Sequence, residues 1–131
     1  MTGAGLSIVA LTLVDAHIDW AWVVIVSNGL AGLWALGANW FAPLRTRALW
    51  WVVIAAEVAV FVQVGLGVWL QAVQHRPPGD FHAFYGFLTI IAVAILYAYR
   101  NQLRSRMYLL YGGGSLFIMG LAIRAVILDG R

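Results

Sequence analysis

The stretch of sequence that decides the fold is residues 71–85, QAVQHRPPGDFHAFY. It holds two of the three histidines of the chain and lies between two long apolar segments. Pro77 and Pro78 have no N–H to donate, so neither can continue a helix, and Gly79 completes a turn. The stretch therefore predicts two antiparallel helices joined by a tight loop.

The apolar character of the flanking segments extends through the whole chain. Of the 131 residues, 63% are hydrophobic and 10% are charged, whereas soluble domains have roughly 45–50% and about 25%. Cysteine is absent, which excludes disulfides, thiolate metal sites, cysteine nucleophiles and c-type haem. The composition predicts an integral membrane protein, and we expect a multi-pass protein of the inner membrane of a bacterium.

Four apolar segments are long enough to cross a hydrocarbon core of roughly 30 Å. They cover residues 18–42, 48–74, 81–99 and 107–128. Residues 1–17 contain a shorter apolar run that ends in acidic residues and a histidine, and we predict a loose or interfacial outer arm there. The chain is predicted to be a single all-α transmembrane domain, a four-helix up-down bundle, because short loops favour antiparallel neighbours.

The distribution of charge predicts the orientation of this bundle. Two loops on one side carry five arginines, which are Arg45, Arg47, Arg100, Arg104 and Arg106. The opposite side carries the acidic residues Asp15, Asp19, Asp80 and Asp129. The positive-inside rule places the arginine loops inside and both termini outside. We interpret the arginines as topology signals, so we expect contacts with membrane lipids and no nucleic-acid partner.

Each predicted helix has a stripe of small or polar residues, which membrane helices use where they face one another. At about 100° per residue, the stripe of the second helix contains Glu57, Gln63, Gly67, Gln71, Gln74 and His75. The first and third helices contribute Ala21, Asn28, Gly32, Ala35 and Asn39, and His82, Tyr85, Gly86, Thr89 and Tyr97. The stripe of the fourth helix is Gly113, Gly120 and Arg124, with Ser115 on the far side. We expect all four stripes to face inward.

Glu57 is an acidic residue inside a predicted span, roughly 13 Å from the inner end of its helix. A carboxylate at that depth costs a few kcal/mol, so we expect it to be protonated or to accept a hydrogen bond from a donor at similar depth, such as Asn28. Two interpretations stay open, a hydrogen bond that fixes helix packing and a site that carries a proton or cation. Gln63 and Gln71 belong to the same intramembrane polar set.

His82, Tyr85 and Arg124 form a candidate cofactor-binding site near the outer surface. A histidine that opens a helix with an aromatic face is suited to a flat cofactor. Residues 63–67 and 81–86 resemble one half of a haem A synthase or of a b-type four-helix cytochrome, which implies a b-type haem bound by His82. The predicted spans contain no second histidine for the other axial position, so a hydrogen-bonded outer loop is the competing interpretation. The spacing of the histidines and acidic residues in the sequence also matches no known metal-binding motif.

The sequence contains no catalytic constellation, and its loops are too short for a soluble domain. We therefore expect a small non-catalytic membrane subunit or accessory protein that packs in a larger complex or a homo-oligomer. One alternative is a redox bundle that binds haem, quinone or lipid at the outer face. The other is a small proton-coupled carrier that works through Glu57.

Overall fold

The structure, a computed structural model, describes residues 3–74 and 80–129. This part of the chain is all-helical. The helices are α1 (Gly3–Trp40), α2 (Arg47–Gln74), α3 (Asp80–Tyr99) and α4 (Met107–Asp129), and short 3₁₀ turns lie at Ala42–Leu44 and Arg104–Arg106. The predicted all-α class and the four helices are confirmed.

Three of the described segments are long and apolar enough to cross a membrane, namely Gly3–Trp40, Arg47–Val73 and Arg104–Ile127. The apolar stretch of α3, Ala83–Tyr99, is shorter. Large apolar side chains on the outside of the bundle are exposed, among them Leu33, Trp51, Phe87 and Phe117. In water such a surface would be an aggregation hazard, whereas lipid tails would cover it.

The amino end differs from the prediction of a separate arm over residues 1–17. From Gly3 onward these residues are helical and continue directly into the predicted first span. The segment has no proline, and the polar residues Asp15 and His17 do not interrupt a helix that neighbouring leucines and alanines favour. At 1.5 Å per residue α1 is about 57 Å long, which exceeds the roughly 30 Å thickness of a hydrocarbon core.

The loops at residues 41–46 and 100–106 define one end of the bundle, the arginine end. Arg45 donates hydrogen bonds to the carbonyl oxygens of Ala38 (2.6 Å) and Asn39 (2.9 Å), near the carboxyl end of α1. Arg100 donates to the Tyr97 carbonyl (2.6 Å) near the end of α3, and its guanidinium lies 3.6 Å from the Tyr97 ring centre. Because the last carbonyls of a helix have no partner within it, both arginines stabilise helix ends.

The helices do not pack in simple chain order. α1 packs broadly against both α2 and α4, and α3 packs against α4 but makes only a narrow contact with α2. α1 and α4 are antiparallel, since Gly29 lies beside Met119 while Leu36 lies beside Gly112. Fully buried residues of the core are mostly small or aliphatic: Ala31, Ala35, Ala38, Leu49, Ala56 and Ile118. α1 is therefore the central helix of the bundle.

α4 turns a different face inward from the one predicted. Gly113, Gly120 and Arg124 are exposed, whereas Ser115 is buried. The reason is that Gly112, not Gly113, contacts α1. In a run of consecutive glycines the sequence pattern alone does not show which member meets the neighbouring helix. On α1, by contrast, the predicted stripe of small and amide residues is buried at Ala21, Asn28, Gly32 and Ala35.

Candidate functional site

Asn28 is the fully buried polar residue of α1, with 0% of its surface exposed. Its side-chain NH₂ group donates to the carbonyl of Val24 in the same helix (2.9 Å) and to the carbonyl of Ala56 in α2 (3.4 Å). These two bonds use both hydrogens of the amide. Of the two states expected for Glu57, protonated or hydrogen-bonded by a donor such as Asn28, the bond from Asn28 is not observed, because both amide hydrogens are directed to main-chain carbonyls.

Two further side chains of the α1–α2 contact also donate to main-chain carbonyls. The indole N–H of Trp20 donates to the carbonyl of Ala59 (2.8 Å), and the amide nitrogen of Gln63 donates to the carbonyl of His17 (2.9 Å). Because residue numbers fall along α1 as they rise along α2, the two helices are antiparallel. Hydrogen bonds of this kind hold membrane helices together where the hydrophobic effect does not.

The imidazole ring of His17 lies against Gly67 of α2. A β-carbon at Gly67 would come within 3.2 Å of the ring atom Cε1, closer than an ordinary van der Waals contact. Gly67 thus provides the space for this ring. The predicted inward stripe of α2 is observed up to this level, with Gln63 and Gly67 both partly buried.

The residue that follows Gly67 in the predicted stripe of α2 does not face inward. Gln71 is exposed, and on α3 the predicted inward residue Tyr97 is exposed as well. The prediction that these two side chains face inward is wrong. The physical reason is the narrow contact between α2 and α3, because a helix face is buried only where a neighbouring helix lies against it.

Glu57 follows Ala56, whose carbonyl accepts the inter-helix bond from Asn28. The Glu57 side chain is half-buried, and its atom Oε1 is buried without a hydrogen bond from any described residue. The carboxylate lies within electrostatic range of Tyr111 in α4. The Tyr111 ring in turn packs edge-on against Trp50 of α2, with 5.5 Å between ring centres. Glu57 therefore lies on the side of α2 that turns toward α4.

Each of the four helices contributes at least one buried or half-buried polar side chain at a similar depth, and the following residues represent them. These residues are Asn28, Glu57, Thr89 and Ser115. The 1.5 Å rise per residue places their α-carbons roughly 12–18 Å from the arginine end of their helices. The Thr89 hydroxyl donates to the Gly86 carbonyl of its own helix (2.5 Å). The described bundle thus has a polar layer near the middle of an otherwise apolar interior.

At the opposite end of the bundle, the structure brings together two of the three residues predicted to bind a cofactor. The Arg124 guanidinium lies 6.0 Å from the centre of the Tyr85 ring, at the outer limit of a cation–π contact. Arg124 is exposed. His82 belongs to the first turn of α3, but its side chain lies outside the described part of the structure, as do the side chains of Gln74 and Asp80 and the whole of His75.

The described residues do not provide the ligand set of a b-type haem. Among them, the histidine with a described side chain is His17, and its ring packs on Gly67 rather than facing a second histidine. Within residues 3–74 and 80–129 there is also no cluster of three metal-ligating side chains.

No family model, curated protein or solved structure matches this chain. The contacts between its own residues are thus the basis for a functional proposal.

Three residues matter more in the structure than their sequence context indicates. Trp20 fits the pattern of an interface tryptophan, yet it bonds to α2. Arg45 fits a topology signal, yet it stabilises the end of α1. Gly112 is indistinguishable in sequence from Gly113, yet it is the glycine at the α1 contact. Of these three residues, only the glycine could have been anticipated from the sequence, because a run of three glycines suggests close helix packing. The run does not show which of the three glycines meets the neighbouring helix.

Proposed function

We propose that this chain is a small non-catalytic subunit of the inner membrane of a bacterium, which assembles with other membrane helices. The partners are further copies of the chain or the subunits of a larger complex, and membrane lipids cover the remaining surface. In this proposal all four helices cross the membrane as an up-down bundle, and both termini lie outside. The five arginines at the arginine end support that orientation.

The observation that carries the proposal is an outward-facing stripe on α4. Gly113 and Gly120 are exposed, and a β-carbon at either position would meet nothing within 4 Å. They lie seven positions apart, so they share one face of the helix, with exposed Phe117 between them. An exposed glycine in a helix costs about 1 kcal/mol relative to alanine. Close approach of another helix would offset that cost, as it does in other membrane proteins.

The test is the assembly state of the full chain in a mild detergent, measured by light scattering and by affinity purification. We expect the wild-type chain to form an oligomer or to purify with stoichiometric partners. Replacing both Gly113 and Gly120 by leucine should reduce the association by at least about tenfold, because two bulky side chains would hold the helices apart. A strictly monomeric wild-type particle without partners would contradict the proposal.

Gly65 of α2 provides the matched control. It is also an exposed glycine in an apolar helix, and a β-carbon there would meet nothing within 4 Å. Gly65→Leu adds the same bulk to a different face, so it should leave the association unchanged. Equal loss of association in this variant would show that added bulk acts without regard to the α4 stripe, which would also contradict the proposal.

A second candidate function is a redox bundle that binds a quinone, lipid or haem at the outer face. The contact between Arg124 and Tyr85 favours it, since a guanidinium beside an aromatic ring suits a flat or anionic ligand. Its test is an absorption spectrum of protein purified from cells supplied with haem, together with organic extraction of bound quinone. Absence of both a Soret band and extractable quinone would remove the redox proposal.

A further inference from the structure

Near the middle of the bundle, two buried acceptor atoms have no hydrogen donor among the described residues. Glu57 Oε1 and Asn28 Oδ1 are both buried, and neither accepts a hydrogen bond within the part of the chain that the structure describes. Asn28 is completely buried, and its NH₂ group is held by the Val24 and Ala56 carbonyls. Rotating the amide would place its oxygen against those carbonyls, so the oxygen must point elsewhere.

The two acceptors belong to the same level of the α1–α2 contact. Asn28 bonds to the carbonyl of Ala56, and Glu57 is the next residue along α2. Leaving a buried acceptor without a donor costs about 1–3 kcal/mol, and more for a charged group. Two such oxygens at one level of the α1–α2 contact therefore require a hydrogen donor or a positive charge.

The arginines of the described residues do not supply that charge. Arg45 and Arg100 donate to helix-end carbonyls at the arginine end, and Arg124 is exposed near the opposite end. The other described arginines, Arg47, Arg104 and Arg106, are exposed at the arginine end. Among the described residues, Tyr111 of α4 is a titratable group within electrostatic range of Glu57, and the surroundings of Tyr111 also include Tyr97 and Arg100 from the end of α3.

We propose that Glu57 and Asn28 together form a buried binding site for a small cation, either a proton or a sodium ion. The Glu57 carboxylate provides the negative charge, and the Asn28 carbonyl oxygen is the second ligand. A proton on Glu57 would be donated to Asn28 Oδ1, whereas sodium would be bound by both oxygens, consistent with its preference for oxygen donors. This site is separate from the outward stripe of α4, so it does not rest on the proposed function.

A carbodiimide distinguishes such a site from an inert carboxylate. Dicyclohexylcarbodiimide enters apolar regions and reacts with a protonated carboxyl group, whose proton moves to a nitrogen of the reagent while an oxygen bonds to its central carbon. The full chain in lipid nanodiscs should form this adduct at Glu57 near neutral pH, as seen by peptide mass spectrometry. Asp15 and Asp19, which are exposed on α1, should stay unmodified and serve as internal controls.

The rate of carbodiimide labelling in two different salts shows which cation occupies the site. If sodium chloride slows labelling at least about tenfold relative to choline chloride, the ligand is sodium, because a bound ion excludes the proton that the reagent needs. If both salts give the same rate and alkaline pH abolishes the labelling, the ligand is a proton. The proposal is overturned if Glu57 of the folded chain stays unlabelled even at acidic pH, or if neither sodium nor pH changes the rate.

Variants test the second ligand. Glu57→Gln should lose the carbodiimide adduct and keep the helix content. Asn28→Leu should lower the labelling rate or the protection by sodium about tenfold, as expected for loss of one hydrogen bond to a charged or reacting group. Ser27→Ala is the matched control, because Ser27 bonds to the Val24 carbonyl within its own helix. Unchanged labelling in folded Asn28→Leu would exclude Asn28 from the site. The labelling measurements on the wild-type chain test the proposal even if Asn28→Leu does not fold.

Discussion

Gly32 of α1 and Gly112 of α4 face each other across a helix contact that has no room for a side chain at either position. A β-carbon at Gly32 would lie 3.0 Å from the Gly112 carbonyl oxygen, and one at Gly112 would lie 2.9 Å from the backbone nitrogen of Leu36. Since main-chain atoms cannot move aside as a flexible side chain can, this contact sets the distance between the two helices. It also explains why α4, distant in sequence, is a direct neighbour of α1.

Gly112→Ala should therefore destabilise the bundle by about 1–3 kcal/mol, the usual result of overpacking. The adjacent Gly113→Ala is the control, because a β-carbon there meets nothing within 4 Å. That variant should be neutral or more stable by up to about 1 kcal/mol, since alanine favours a helix. Thermal unfolding in detergent measures both. A stable Gly112→Ala variant would show that the helices can separate at this contact without loss.

Trp20→Phe should lower the stability by about 1 kcal/mol, because it removes the hydrogen bond from the indole to the Ala59 carbonyl and keeps most of the aromatic surface. Trp22→Phe makes the same chemical change at a side chain that is 58% exposed, so it should have little effect. Denaturant titration of the two variants in the same detergent compares them. Equal midpoints would mean that the Trp20 bond adds nothing measurable.

Arg45→Ala should destabilise the carboxyl end of α1, because the carbonyls of Ala38 and Asn39 lose their donor. We expect a loss of about 1–2 kcal/mol, in the range for hydrogen bonds from charged groups. Arg47→Ala removes the same charge from the same region, but at the first residue of α2 rather than beside the last carbonyls of α1. Hydrogen exchange at the end of α1 should increase only in Arg45→Ala, and an equal increase in both would assign the effect to net charge.

The orientation of the chain can be tested with single cysteines, since the natural sequence contains none. Ser105→Cys lies at the arginine end, and Gly130→Cys changes the residue that follows α4 in the sequence. A thiol reagent that does not cross membranes should label Gly130→Cys in intact spheroplasts and Ser105→Cys only after lysis, as the positive-inside rule predicts. The opposite pattern would reverse the proposed topology.

The sequence by itself determined the all-α class and most helix boundaries, because proline, glycine and apolar runs act locally. The predicted second, third and fourth spans agree with α2, α3 and α4 within one residue at each end. The small and amide stripe of α1 was equally predictable, since Asn28 and Gly32 must avoid lipid. Only at the amino end did the local reasoning overestimate how strongly Asp15 and His17 would interrupt a helix.

Only the tertiary structure decided which helices are neighbours and which face of each is covered. It placed Gly112 rather than Gly113 against α1, left Gln71 and Tyr97 exposed, and directed the Asn28 amide to the Ala56 carbonyl instead of Glu57. Helical periodicity shows which residues share a face, but burial depends on how closely another helix approaches that face. That distance depends on atoms from two segments far apart in the sequence.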